Sequence, residues 1–158
     1  MTKQEQAFLD MLAWSEVGPG LLAKSDHGYN VIVGSTPMFP RLFYDYSDHP
    51  RVLVKLSDTL SSTAAGRYQV LKRTFDAYKS RLNLPDFSPA SQDRIALQLI
   101  KERGALKDIN DGRIVEAIRK VRNIWASLPS AGYGQHEHKL SDLIREFTQC
   151  GGTVENQL

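Results

Sequence analysis

Glu16 stands where an apolar helical pattern meets a glycine-rich stretch, in the run Ala13-Trp14-Ser15-Glu16-Val17-Gly18-Pro19-Gly20. Three influences act on a carboxyl in that place: apolar surroundings, few cations and the negative end of a helix dipole. All three favour the neutral form and raise the pKa. A carboxyl that keeps its proton near neutral pH is what a general acid requires, while the plainer use of such a residue is a solvated helix end. Candidate second carboxylates are Asp26, Asp45 and Asp48. The latter two flank Ser47 and precede Pro50, a pattern that equally suits turn capping.

The other chemistry-bearing side chains point away from metals and thiols. His136-Glu137-His138 spaces two histidines for a shared metal only on a strand, and the helical His-Glu-x-x-His spacing is missing, so no metal or cofactor is expected. Cys150 is the only cysteine, which excludes an intramolecular disulfide. It precedes Gly151-Gly152 at a helix end, where a thiol is not activated.

Glu16 must be held by a helix over Gln4–Ser15, with Phe8, Met11 and Leu12 at helical spacing, ending just before or at Glu16. From His27 to about Leu60 the pattern turns to a small, irregular β-lobe: Gly28-Tyr29-Asn30-Val31-Ile32-Val33-Gly34 is rich in β-formers, and Pro37, Pro40 and Pro50 follow. Leu71, Phe75, Tyr78 and Leu82 then mark a helix stopped by Pro85. Ser88 caps a second one with Pro89 at its first position, running inward through Ile95, Leu99 and Ile100 to Gly104. Asp111 is read as the cap of a third, with Ile114, Ile118 and Val121 on one face extended by Ile124 and Trp125. Leu140, Leu143, Ile144 and Phe147 make a fourth, ended by Gly151-Gly152. The fold class is α+β.

With 158 residues, 41% hydrophobic and 24% charged, the chain is sized for one domain with a core that needs no staples. Twenty basic against eighteen acidic residues give a net charge of +2, and from Lys101 to Arg122 the cations are interleaved with Glu102, Asp108, Asp111 and Glu116. No nucleic-acid partner is expected. The opening residues lack a signal-peptide pattern, and no apolar run approaches the roughly 18–20 residues that span a bilayer, so no stable membrane association is expected.

Ala13-Trp14-Ser15-Glu16, Asp45-Tyr46-Ser47-Asp48-His49-Pro50, Ser62-Thr63-Ala64-Ala65-Gly66-Arg67-Tyr68-Gln69 and Ala131-Gly132-Tyr133-Gly134-Gln135 closely resemble segments of the lambda-type phage endolysins. The likeness continues through Ile100-Lys101-Glu102-Arg103-Gly104-Ala105-Leu106 and Asn123-Ile124-Trp125-Ala126-Ser127-Leu128-Pro129. That family implies a lysozyme-like fold over residues 1–158 as a single domain, with a β-lobe at about 26–60 beside a larger helical lobe and a cleft between them. It implies a peptidoglycan lytic transglycosylase with Glu16 as catalytic acid. Such an enzyme cleaves the MurNAc-β-1,4-GlcNAc bond to leave 1,6-anhydro-MurNAc ends.

As substrate contacts the resemblance implies Asn30, Tyr46 and Ser62, the Gly-x-x-Gln element Gly66-Arg67-Tyr68-Gln69 opening a helix, and Tyr133 and Gln135 on a glycine-rich rim. Asn30 stands where the family pattern Gly-Tyr-Asp-Val has Asp, and residues 17–43 depart from that pattern in sequence and length. The partners implied are peptidoglycan glycan strands and a holin. The protein would wait as a monomer in the host cytoplasm until the holin releases it to the periplasm and cell wall. The T-even-phage lysozymes follow their Glu with an Asp and a Thr at set spacings, and the equivalent places here hold Ser25 and Val31. A hydrolytic muramidase and a non-catalytic peptidoglycan-binding module are the alternative readings.

Overall fold

The computed structural model describes residues 1–129 and 138–155. They fall into two compact units, one of Met1–Glu16 with Ala96–Leu158 and the other of Val17–Ile95.

The first unit is built on helix α1 (Lys3–Glu16). Ala7, Phe8, Leu9, Met11, Leu12 and Ala13 are all fully buried, so α1 is covered on most of its circumference rather than along one stripe. Helix α7 (Leu140–Gln149) packs on it, with Phe147 edge-on to Phe8 at 6.5 Å between ring centroids. Helices α5 (Leu106–Asn110) and α6 (Ile114–Val121) complete the core through Ile109, Ile114, Ile118 and Val121. Buried Asp108 is held between them by Arg113 and Lys120, whose cations keep its carboxyl below the usual range.

The second unit begins with α2 (Pro19–Lys24), where a glycine-rich loop is expected. Gly18 takes φ +88° and breaks α1, after which Pro19 occupies the first turn of a new helix, where its missing N–H costs nothing. Extended structure is sparser than the β-forming residues suggest. Antiparallel β1 (Val54–Lys55) and β2 (Ser61–Ser62) pair Val54 with Ser62, and Val31, Ile32 and Ala65 make only isolated bridges. Helix α3 (Lys72–Arg81) buries Phe75 and Tyr78 as its stripe requires. Helix α4 (Pro89–Glu102) follows Ser88, whose hydroxyl accepts from the Ser91 N–H. Phe75, Phe87 and His49 form the aromatic centre of this unit, with ring centroids 4.9–6.0 Å apart.

Two further expectations are corrected. Asp111 caps no helix N-terminus; it follows α5, and its carboxylate is taken by Lys107 and Arg113, while Ile124 and Trp125 lie in turns beyond α6. Gly66–Gln69 does not open a helix, because the Ala65–Val70 bridge closes it into a tight turn and α3 starts only at Lys72.

That turn depends on Gly66. Its φ is +85°, and a Cβ there would lie 2.2 Å from Oε1 of Gln92, the acceptor of the Arg67 N–H. Gly66→Ala is expected to lose about 2–4 kcal/mol, combining the left-handed backbone cost with one disrupted buried hydrogen bond. Urea unfolding checks this, and an unchanged midpoint would show that the turn tolerates a side chain.

Candidate active site

Glu16 is the last residue of α1, half-buried, at the point where the buried helix stops. Ser127, in the turns after α6, donates its hydroxyl to Glu16 Oε1 at 3.1 Å, and its Oγ lies 2.7 Å from that of Ser15. Both serines are buried. His138 ties the two strands of chain together: its N–H donates to the Ser127 carbonyl at 2.9 Å, and its Nε2 lies 3.2 Å from the Ser15 carbonyl. A carbonyl only accepts, so the imidazole carries its hydrogen on Nε2. The ring packs against Trp14 with centroids 4.7 Å apart.

Burial pushes the Glu16 carboxyl up to about 7, and the Ser127 hydroxyl works against that shift. The other described carboxyls with a resolved shift move down, because their neighbours are cations or N–H and O–H donors. Asp45 accepts the Ser47 N–H, and Asp48 accepts the His49 N–H and pairs with Arg51 at 2.8 Å. Both therefore cap the turn. Asp26 instead accepts the Tyr46 hydroxyl at 2.6 Å.

Within the second unit, Asn30 and Tyr46 come together through that aspartate. The Asp26 N–H donates to Asn30 Oδ1 at 2.9 Å, and the three residues line a cavity of about 390 Å³ with Lys24, Phe43 and Tyr44. Tyr46 keeps its proton well above the usual range, first because of burial and then because Asp26 holds it. Asn30 is itself buried and braces the Asp26 backbone through that hydrogen bond.

The Gly66–Gln69 turn serves a different purpose from the one its residue types suggest. Tyr68 is 1% exposed and offers no ring face to a ligand; its hydroxyl donates to Asp93 at 2.6 Å and accepts from Arg67 at 3.0 Å. Arg67 is also buried and reaches the His27 carbonyl at 3.0 Å. Gln69 turns its amide back on the Gly66 carbonyl at 2.8 Å. Ser62 Oγ accepts the Ala64 N–H at 3.1 Å. As substrate contacts, Arg67 and Tyr68 are corrected to framework residues. Tyr133 and Gln135 lie outside the described residues. Ser127 and His138 are site neighbours that sequence reasoning missed, and the hydroxyl pairing of Ser15 with a residue 112 positions away has no local signal.

An α+β chain with a carboxyl held neutral at the end of its central helix has the architecture of a lysozyme-like enzyme. The endolysin family model matches residues 6–154. The chain is 58% identical to the endolysin of Escherichia phage lambda, over 98% of this chain and 95% of that one, and 51% identical to the endolysin of Escherichia phage P2, over 92% of each. Its structure is similar to that of bacteriophage lambda lysozyme complexed with a chitohexasaccharide, with a TM-score of 0.92 over 98% of each chain. A second structure of lambda lysozyme gives 0.88. The chain belongs to the endolysin family, whose members cleave peptidoglycan to lyse the host cell.

The raised Glu16 pKa carries a stability cost of known sign. An unfolded chain releases this proton near pH 4.5 and the folded one near 7, so between those values the folded state binds more protons and stability falls as pH rises. Glu16→Gln removes the penalty. The variant is expected to be more stable than the parent by about 3 kcal/mol above pH 7, with the gap closing below pH 4.5. Denaturant midpoints measured at pH 4 and pH 8 check it, and equal gaps at the two pH values would contradict the assignment.

Proposed function

We propose that this endolysin is a lytic transglycosylase in which Glu16 is the sole acid and base. The observation that carries the reading is the carboxyl of Glu16 at the end of α1, whose proton burial retains up to about pH 7. It gives its proton to the glycosidic oxygen, O4 of GlcNAc, as the bond from MurNAc C1 to that oxygen breaks. The resulting carboxylate then takes the proton of the MurNAc C6 hydroxyl while the C6 oxygen closes on C1. The ring gains a 1,6-anhydro bridge, Glu16 recovers its proton, and no water is consumed. An intramolecular hydroxyl already near C1 has the effective-molarity advantage of a unimolecular step.

Several features support one carboxyl rather than two. Ser25 and Val31 occupy the places where the T-even-phage lysozymes have Asp and Thr. Ser25 donates to the Leu21 carbonyl and accepts the Gly28 N–H, and Val31 is buried, so neither can activate water. The relative solved with a chitohexasaccharide makes an N-acetylated glycan strand the fitting ligand. The cavity of Asp26, Asn30 and Tyr46 supplies an aromatic face and an oriented hydroxyl for an amino sugar.

Glu16→Gln is expected to lose clearing of cell walls by at least the 10²–10⁴-fold typical of one acid–base group. Mass spectrometry of the parent's products decides the reaction type: muropeptides about 18 Da lighter than hydrolytic ones, with no new reducing ends, are expected from trapping by the C6 hydroxyl. Reducing ends carrying ¹⁸O from labelled water would instead demand a water-activating carboxylate, with Asp26, Asp45 and Asp48 the first to mutate.

The protein acts as a monomer that accumulates in the host cytoplasm and reaches the wall when a holin opens the membrane. Among the described residues no helix is long and apolar enough to cross a membrane. Expressed alone in bacteria, it is expected to lyse them only after the membrane is permeabilised. Prompt lysis without that step would overturn this route.

A further inference from the structure

We infer that Ser127, oriented by Ser15, is a positioning residue for the acid: its hydroxyl engages Oε1 of Glu16 so that the transferable proton sits on Oε2. This rests on the reading of Glu16 as the general acid and deepens it. A serine hydroxyl has one hydrogen to donate. Ser127 gives its hydrogen to Glu16, so the 2.7 Å contact between the two serines runs from the Ser15 hydroxyl to Ser127 Oγ. The chain is directional, Ser15 to Ser127 to Glu16.

Its direction decides which carboxyl oxygen is loaded. In the neutral acid one oxygen is a carbonyl and the other carries the proton, and the oxygen that receives the Ser127 hydrogen is the carbonyl one. Oε2 then bears the O–H. Once that proton leaves, the Ser127 contact becomes charge-assisted and strengthens, with Ser15 polarising it further. The stabilisation thus grows along the reaction, which is the kind that speeds it. A cation in the same place would ionise the acid in advance, whereas a neutral hydroxyl orients it and leaves it protonated.

The backbones of both serines are fixed by His138, through its N–H to Ser127 O and its imidazole to Ser15 O. Among the described residues, His138 is a titratable side chain beside these serines, and its Nε2 hydrogen faces the Ser15 carbonyl. Within this unit, burial and the Ser127 hydroxyl are what act on the titration of Glu16.

The test follows the Glu16 side-chain carboxyl by ¹³C NMR from pH 3 to 10 in the parent, Ser127→Ala, Ser127→Thr and Ser15→Ala, alongside pH profiles of wall clearing. In Ser127→Ala the Glu16 midpoint is expected to rise by about one pH unit, the basic limb of activity to move with it, and kcat at the parent's optimum to fall about 10–100-fold, as loss of one hydrogen bond to a charged group implies. Ser127→Thr keeps the hydroxyl and is expected to restore the parental midpoint. Ser15→Ala is expected to show a smaller upward shift, and it decides the matter should Ser127→Ala fail to fold. A folded Ser127→Ala whose midpoint and basic limb match the parent's overturns the inference, whatever its kcat. If Glu16→Gln clears walls normally, the acid assignment falls and the positioning role with it. An inactive Glu16→Gln beside an unmoved Ser127→Ala removes the positioning role alone.

Discussion

The cost of ionising one buried carboxyl governs the design of the first unit. Helix α1 is enclosed on most of its circumference, from Ala7 to Ala13, so its C-terminal end carries Glu16 out of the same apolar packing. The helix cannot run further, because Gly18 adopts a positive φ and Pro19 starts a new one. The carboxyl therefore stays at the edge of the core, close enough to lose most of its hydration and near enough to the surface to be only half-buried. A domain stable by roughly 5–15 kcal/mol can carry that penalty only if the surrounding packing is sound. Phe8, Phe147, Ile109 and Ile118, all buried around α1 and its neighbours, supply that packing.

Electrostatics then separates Glu16 from the rest. Asp108 lies between Arg113 and Lys120, and Arg51 bridges Asp48 and Asp76, so these carboxylates are ionised and serve the fold. Glu16 meets the Ser127 hydroxyl and apolar packing instead. A neutral donor fixes direction without supplying the charge that would strip the proton, and the difference between a serine and a lysine at this point is the difference between an acid and a salt bridge.

The elements whose apolar residues lie along one stripe were legible from sequence: α3, α4 and α7 follow their periodicity, and α1 ends where glycine and proline say it must. Glu16 was legible as well, since its position at that end is a local property. The short α2 and α5 were not, because six and five residues make too little periodicity to see. The burial of Tyr68 was not legible either: the Gly-x-x-Gln pattern says nothing of which way the ring turns, and the Ala65–Val70 bridge and Asp93 draw it inward. Ser127 lay within a recognisable segment, but its partnership with Ser15 exists only once α1 and the turns after α6 are packed together.

The second unit shows how a lobe with two-residue strands can still hold one shape. Backbone pairing is too sparse to fix it, so buried side chains take over. Gln92 accepts the Arg67 N–H and donates to the Tyr29 and Phe87 carbonyls, and Asp93 accepts both the Tyr29 and Tyr68 hydroxyls. His49 joins the Val70 carbonyl through Nε2 and accepts the Arg51 N–H at Nδ1, which defines it as neutral, and burial holds its pKa down. A satisfied polar network has few alternative arrangements, because each rearrangement strands a buried donor or acceptor. The turns at 27–30 and 66–69 are thereby set against α4, and Asn30 with them. Asn30 in turn holds Asp26, and Asp26 holds the Tyr46 hydroxyl at the cavity wall. The orientation of that hydroxyl is thus linked, several hydrogen bonds away, to Gln92 and Asp93 of α4.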